Sequence, residues 1–344
     1  MRCADAADVM PRRRALLKGL PWVVLAPWTL EAVAAPEVLR VERTLMGTRV
    51  RIAVQGPGRA AELVPAVEAA FAEMQRLELL LTRYRPGNPV HALQQAAGSR
   101  PLAVPPELLA VLRDAREVSR RTGGDFDITV GAYAGWHFDP RQPGPVPSAD
   151  ELARQRRLVD WNDVEVDERD GLARLARAGM RIDLGGIAKL PILEAGMQVL
   201  ARHGLRDALI DGGGDMRASG RVQGRAWRVG VRDPMQPSRL LGVVELNDGW
   251  VASSGDYERA FVDRGRRYHH VLDPRTGMPT NGPRGVTLLA RDLAPINGLG
   301  TALMVGGRDA AQRRRPPPGV EMLVVDADGS HWSTPGWPAR LAAT

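Results

Sequence analysis

From Val38 to Val54 apolar and polar residues alternate, and Met46-Gly47-Thr48 interrupts the alternation, which predicts two strands around a glycine bend. The period then changes. Between Ala60 and Leu81 the residues Leu63, Val67, Ala70, Phe71, Met74, Leu77 and Leu81 recur at helical spacing and predict one long helix ending at the turn Thr82 to Gly87. A second helix is predicted from Pro105 to Arg121, with Pro106 at its start and Gly123-Gly124 past its end. Residues 139–147 hold four prolines and predict a loop at the rim of a lobe.

Beyond this loop, Met180 to Leu184 predicts a strand running into Gly185-Gly186, followed by a helix from Pro191 to His203. Ala208 to Asp211 predicts a strand ending in Gly212-Gly213-Gly214-Asp215. Further strands are predicted at Ala226 to Val231, Leu241 to Leu246, Gly249 to Ser253, Tyr268 to Leu272 and Gly285 to Ala290, and a helix at Gly298 to Val305. Many strands with a few long helices, without regular strand-helix alternation and without an internal repeat, predict an α+β fold. With 344 residues the chain can bury one large domain or two intimate lobes.

Residues 1–35 change the picture of where the protein works. Arg12-Arg13-Arg14 precede a modest apolar stretch, Leu16 to Leu30, and Ala32-Val33-Ala34-Ala35 offers small residues for cleavage, the layout of an export signal. The arginine pair is similar to a twin-arginine signal, and an ordinary secretory signal is the alternative. Lys18, two prolines and two tryptophans interrupt the stretch, so a membrane span is not expected. The one cysteine, Cys3, lies within this segment, which leaves the mature chain, residues 36–344, without a disulfide, a thiolate metal site or a lipid-anchoring cysteine. A periplasmic protein that is not a lipoprotein is expected, starting at Met1 or Met10. The formal charge of +7 falls to +5 once the five cations and three anions of residues 1–35 are gone. Arginines alternate with acids along the rest, and Arg313-Arg314-Arg315 before three prolines fits a solvated loop, so nucleic acid is not an expected partner.

Lys189 is the one lysine outside that segment; every other cation there is arginine. An ammonium is a compact point charge, whereas guanidinium is a broad planar fork, so a site with room for one atom distinguishes them. Chance survival in an arginine-rich chain explains a lone lysine as well, and its surroundings decide. It closes Asp183-Leu184-Gly185-Gly186-Ile187-Ala188-Lys189, one of four glycine-bearing segments with Met46-Gly47-Thr48, Thr122 to Gly131 and Asp211 to Asp215. Glycine at a strand end lets a ligand approach the backbone, and a following helix start offers N–H groups to phosphate. Taken singly each segment also fits a tight turn, and none has the dinucleotide spacing. In Tyr268-His269-His270-Val271-Leu272-Asp273-Pro274, a histidine three residues before an Asp-Pro turn suits a general base oriented by a carboxylate. Two strand histidines, one solvated and one hydrogen-bonded in the core, account for the same residues.

These segments, in this order, with Gly212 to Gly220, Ser253 to Arg259, His269 to Gly277 and Asn297 to Ala302, resemble the FAD:protein FMN transferases, the ApbE family, over roughly residues 40–310. The resemblance implies a T-fold-like α+β arrangement of mixed sheets with helices, holding an FAD cleft between two intimate lobes. It implies an exported, Mg²⁺-dependent enzyme that cleaves FAD, attaches FMN through a phosphoester to a threonine of an acceptor flavoprotein and releases AMP. The acceptor would belong to a periplasmic or membrane electron-transfer or reductase-maturation system. By motif match His270 would be the base, with Asp273 as its orienter or a turn former. Lys189 would contact the cofactor, and Met46, Tyr84, Asp125, Phe126, Asp127, Asp183 and Val271 would line the flavin and adenine sites. Mg²⁺ would be held by the Gly186 carbonyl, Thr301 and position 297, where the family has Asp and this chain has Asn297. A second departure is Leu190-Pro191, where the family has Gly and an aromatic residue; a leucine there could crowd the cofactor or reshape the helix start. Asn297 and Leu190 favour one alternative, an FAD-binding assembly factor with weak or no transfer, and the same residues would also serve a second, an FAD pyrophosphatase using water as acceptor.

Overall fold

The computed structural model describes residues 37–337 apart from Pro140, Pro143, Glu258 and Arg315, so the expected export segment lies outside the described residues. The described residues belong to one compact unit. Strands β1 (Val38–Leu45) and β2 (Thr48–Gln55) make the expected hairpin. Its two-residue turn places Met46 at φ 53° and Gly47 at φ 68°, the left-handed pair that matches the twist of the flanking strands. Such a φ is strained for methionine, and the Met46 N–H is held by Glu78 Oε1 at 2.7 Å.

Helix α1 (Ala60–Leu81) has the predicted bounds and carries Glu78 in its last turn. Helix α2 (Pro89–Gln95), strand β3 (Leu102–Ala103), helix α3 (Pro106–Thr122), a 3-10 turn at Ile128–Ala132, helix α4 (Ala149–Arg156) and strands β4 (Val164–Asp167) and β5 (Leu172–Leu175) follow. Helix α3 stops where Gly123 takes φ 61°, as its sequence signal predicts. Strands β3, β5 and β4 form a small separate sheet.

The second half contains α5 (Lys189–Arg202), β6 (Asp207–Asp211), β7 (Met216–Ser219), β8 (Trp227–Arg232), β9 (Leu240–Leu246), β10 (Asp248–Gly255), β11 (Ala260–Asp263), β12 (Arg266–His269), β13 (Gly285–Ala290), α6 (Leu299–Arg313), β14 (Glu321–Val325) and β15 (His331–Ser333). Six of these strands join β1 and β2 in the main eight-stranded antiparallel sheet, in the order β1-β2-β6-β7-β10-β13-β14-β15. Strand alternation sets its two faces. Val50, Ile52, Val54, Ala208, Ile210, Trp250, Ala252, Val286 and Leu288 pack with residues of α1, α5 and α6 in the largest core cluster. Val251, Leu289, Leu323 and Val325 point the other way and pack with Trp227, Val229, Val231, Val244 and Leu246 of the β8–β9 hairpin. Each fully buried aliphatic side chain contributes about 1.5–3 kcal/mol. A third, aromatic cluster joins Tyr133 and Trp136 to Phe261 and Tyr268 of the β11–β12 ribbon.

Three expectations need correction. Met180 to Leu184 is extended, with Met180, Ile182 and Leu184 buried in alternation, but it is not a strand. Its backbone partners are not a neighbouring strand: Asp183 N donates to Ile128 O at 2.7 Å and Ile182 N to Gln94 Oε1 at 3.0 Å. The strand expected at Tyr268 to Leu272 ends at His269, because residues 271–280 fold back on themselves through Asp273 N to Met278 O and Thr280 N to Val271 O. The last helix runs eight residues past Val305, through a break where Gly307 has φ 73° and ψ −177°.

Candidate active site

Sheet register brings the glycine segments to one end of the main sheet. Arg51 pairs with Asp211, Asp211 with Met216, Met216 with Val251, and Gly255 with Gly285, so the β1–β2 turn, the β6–β7 loop and the end of β10 lie side by side. A Cβ on Gly213, which has φ 78°, would lie 2.2 Å from Thr48 Oγ1, so glycine is what lets that loop reach the turn. Both α5 and α6 begin at this end. Lys189, in the first turn of α5, places Nζ 3.0 Å from Asp215 Oδ2, and Asp215 Oδ1 accepts from Ser253 N at 3.0 Å. A Cβ on Gly300 of α6 would meet Ser254 Oγ at 2.5 Å. Neither helix start carries a side-chain cap, so the positive ends of two helix dipoles and an ammonium face the same region, a setting suited to a phosphate-bearing ligand.

The two histidines divide as their alternation allows. His269 is buried; one ring nitrogen, Nε2, lies 2.8 Å from Thr280 O, and the other, Nδ1, accepts from Val271 N at 3.3 Å, which assigns the proton to Nε2. His270 leaves the ribbon with its backbone N bonded to Arg259 O, and as a residue it is exposed. Protein atoms nevertheless crowd its ring, and this desolvation, with the charge of Arg259, lowers its pKa below the ordinary histidine value, opposed by Asp183. Its exposed surface limits the desolvation, and in either case the ring is neutral at pH 7 and able to accept a proton. Arg259 also borders the β1–β2 turn: a Cβ on Gly47 would lie 2.8 Å from its Nη2.

Gly186, Thr301 and Gly298, the residue after Asn297, meet around Phe126. A Cβ on Gly186 would lie 3.2 Å from both Phe126 Cε2 and Thr301 Oγ1, and one on Gly298 would lie 3.3 Å from the same phenyl carbon. Asn297 is 4% exposed, and its buried Oδ1 has no hydrogen-bond partner. Such an orphan costs about 1–3 kcal/mol. Among the described residues no cluster of three or more His, Cys, Asp or Glu could hold a metal, and the oxygens that Asn297, Thr301 and Gly186 themselves offer are amide, hydroxyl and backbone carbonyl. Oxygen donors fit Mg²⁺, and a bound cation would give the orphaned Asn297 Oδ1 its missing partner.

The ApbE family model matches residues 46–324, from the Met46 turn to β14. The chain belongs to the ApbE family. It is 34% identical over 306 residues to the FAD:protein FMN transferase of Treponema pallidum, covering 83% of each chain. Among solved structures, the ApbE protein of Thermotoga maritima superposes with a TM-score of 0.81 at 29% identity, over 89% of this chain and all of that one. The flavin transferase ApbE of Vibrio cholerae gives 0.77 at 25% identity, again over 89% of this chain and all of its own.

Against this ApbE-family fold the motif-matched residues separate. Met46, Asp183, Lys189 and His270 are half-buried or exposed at the shared end of the sheet, and Tyr84 is 72% exposed with the Arg83 guanidinium 5.1 Å from its ring centre. Asp183 Oδ2 pairs with Arg83 Nη1 at 3.2 Å, and its Oδ1 accepts from Gly185 N at 2.8 Å. Asp127 faces inward instead. It caps the 3-10 turn through Thr129 N at 2.7 Å and accepts from Trp161 N at 3.1 Å, and burial pushes its carboxyl up to about 6. Phe126 and Val271 are buried in the main core, as is Leu190, whose side chain therefore packs into the core. Asp125 is buried against two arginines. Asp273 Oδ1 accepts from Arg275 N and Nε, both at 2.9 Å, and no bond joins it to His270 among the described residues. Its contacts are those of a turn former rather than an orienter. Sequence reasoning did not single out Arg83, Asp215, Arg259, Arg275 or Arg314 as site residues. Asp215 closes the glycine run, Arg259 closes Ser253 to Arg259 and Arg275 lies within His269 to Gly277, so these had a local signal; Arg83 and Arg314 reach the site only through the fold.

Proposed function

We propose that the protein is a Mg²⁺-dependent FAD:protein FMN transferase that attaches FMN to a threonine of an acceptor flavoprotein and releases AMP. The observation that carries this reading is a neutral, solvent-reachable His270 at the sheet end where Lys189 and two uncapped helix starts converge. The names of the relatives, FAD:protein FMN transferases, support the substrate and the reaction.

Lys189 and the N–H groups opening α5 and α6 bind the FAD pyrophosphate and oppose the charge that grows on it. His270 accepts the proton of the acceptor threonine as its Oγ bonds to the FMN phosphorus. The bond from that phosphorus to the bridging oxygen breaks, and AMP leaves with that oxygen and the electron pair. Arg83 and Asp183 hold each other beside Tyr84, fixing the wall where the ring system of the substrate lies. Gly186, Asn297 and Thr301 would hold Mg²⁺, which when bound neutralises pyrophosphate charge.

Export through the segment at residues 1–35, by the twin-arginine route, would place the reaction in the periplasm, with an acceptor in an electron-transfer or reductase-maturation system. Among the described residues no helix is long and apolar enough to cross a membrane. The neutral Asn297 favours one other reading, an FAD-binding assembly factor with little transfer. Incubating the mature protein with FAD, Mg²⁺ and an FMN-acceptor domain, then weighing the intact acceptor, separates them. An FMN-sized gain that EDTA abolishes supports transfer. Unmodified acceptor with intact bound FAD supports the assembly factor, and free FMN with AMP supports hydrolysis by water.

A further inference from the structure

Asp125 matches a flavin-lining position by motif, yet its side chain is 6% exposed and fully engaged. Oδ1 accepts from Arg275 Nη1 at 2.8 Å, and Oδ2 pairs with Arg314 Nη2 at 2.6 Å. Arg275 belongs to the turn that follows His270, where its Nε also donates to Asp273 Oδ1 at 2.9 Å. Tyr133 Oη and Trp136 Nε1 hold the same turn by donating to Pro274 O and Gly277 O, both at 2.8 Å. Arg314 follows the last turn of α6, the helix whose first turn carries Thr301, and it also donates to Thr122 O. Two glycines admit this meeting. A Cβ on Gly306 would lie 2.5 Å from Asp125 Oδ2, and Gly307 breaks α6 at φ 73° just before the turn that leads to Arg314.

We propose that Asp125 is a positioning residue for the transfer reaction: a buried anion that ties the His270-bearing turn to the end of α6 without touching the flavin. Removing its charge takes the carboxylate from the Arg314 guanidinium and leaves Arg275 with Asp273 alone, and both segments lose their common anchor. The proposal rests on the assignment of His270 as the base, and its test has a readout that needs no acceptor.

Asp125→Asn keeps the shape and removes the charge. In the full mature chain, amide hydrogen exchange should rise about tenfold or more in both 270–278 and 308–314. FAD affinity, read from flavin fluorescence, should stay within about twofold, while kcat for transfer falls at least about tenfold with KM for FAD unchanged. A tenfold weaker FAD affinity with unaltered exchange would make Asp125 a ligand contact and overturn the proposal. Arg275→Gln is the second variant, at a residue whose side chain is 59% exposed and whose loss the fold tolerates more easily. It should loosen 270–278 and leave 308–314 protected; unchanged exchange in 270–278 overturns the proposal even if Asp125→Asn does not fold. A chain that transfers no FMN at all would refute the function while leaving the exchange result intact.

Discussion

Replacing Asn297 by aspartate tests the metal-ligand assignment through stability, without any turnover. At 4% exposure and with no donor on Oδ1, a carboxylate at this position is desolvated and unpaired when no cation is present. Burial of this kind raises a carboxyl pKa by roughly two to three units, which is about 3–4 kcal/mol of destabilisation at neutral pH. For a chain of this size about 2 °C of Tm is lost per kcal/mol, so metal-free Asn297→Asp should melt about 6–8 °C below the wild type at pH 8. The folded pKa lies above the unfolded value of about 3.9, so the penalty is complete above the folded pKa, shrinks as pH falls through it, and is gone below the unfolded pKa. The gap between mutant and wild type should therefore narrow at pH 5. Mg²⁺ at about one hundred times its Kd adds about 2.7 kcal/mol and should restore most of the loss, while Mg²⁺ without nucleotide moves the neutral wild-type site little. Differential scanning fluorimetry at pH 5 and pH 8, with and without Mg²⁺, reads all four states. A mutant as stable as the wild type at pH 8 without metal, or Mg²⁺ shifting both proteins equally, refutes the placement of the ion.

His270→Ala should reduce FMN transfer by about 10²–10⁴-fold, judged by acceptor mass, with FAD binding largely retained; full activity in that variant would remove the base. Because the folded pKa of His270 is lowered, the neutral base persists below the ordinary histidine value of about 6.5, so the acid limb of kcat should fall at lower pH than that; a limb centred at 6.5 argues against the crowded ring. Lys189→Arg should weaken FAD binding about tenfold in equilibrium fluorescence while the melting temperature holds, because a planar guanidinium does not fit a site set for one nitrogen beside Asp215. Asp127→Ala should cost about 1–2 kcal/mol of stability in a denaturant titration through the lost cap on the 3-10 turn, and an unchanged midpoint would contradict that role.

What the sequence makes legible is what depends on local period. The β1–β2 hairpin, α1 and β13 follow their patterns to the residue or nearly so, since each pattern reports one buried face and a turn residue marks each end. The division of labour between His269 and His270 is legible for the same reason: adjacent extended residues face opposite ways. Met180 to Leu184 shows the limit. Alternating burial is satisfied there, but a strand also needs a partner strand, and the partners are a 3-10 turn and the Gln94 side chain, which no local pattern encodes. Short elements such as α2 and α4 take their ends from Asn88 and Ser148 caps inside polar stretches with little hydrophobic period. The motif resemblance gathers segments but does not say which way each side chain points, and Asp127, Phe126 and Val271 turn out buried. Asp125 and Arg314 are distant in sequence, and nothing local joins them.

The charges around the site decide what it can attract. Asp183 is paired with Arg83, Asp215 with Lys189, Asp125 with Arg275 and Arg314, and Asp256 with Arg267 and Arg284. Two of these four carboxylates carry two arginines each, and two helix starts add positive potential. On the proposed metal placement a divalent cation would meet amide and hydroxyl oxygens at Asn297 and Thr301, whereas a pyrophosphate would be attracted by the paired arginines and the helix starts. A bound pyrophosphate would offer the anionic oxygens that Asn297 does not supply. Metal and nucleotide affinities must then be coupled, each raising the other by the same factor. An aspartate at 297 would weaken that coupling by giving the cation an anionic oxygen of its own, so on the proposed metal placement the neutral Asn297 makes each ligand depend on the other.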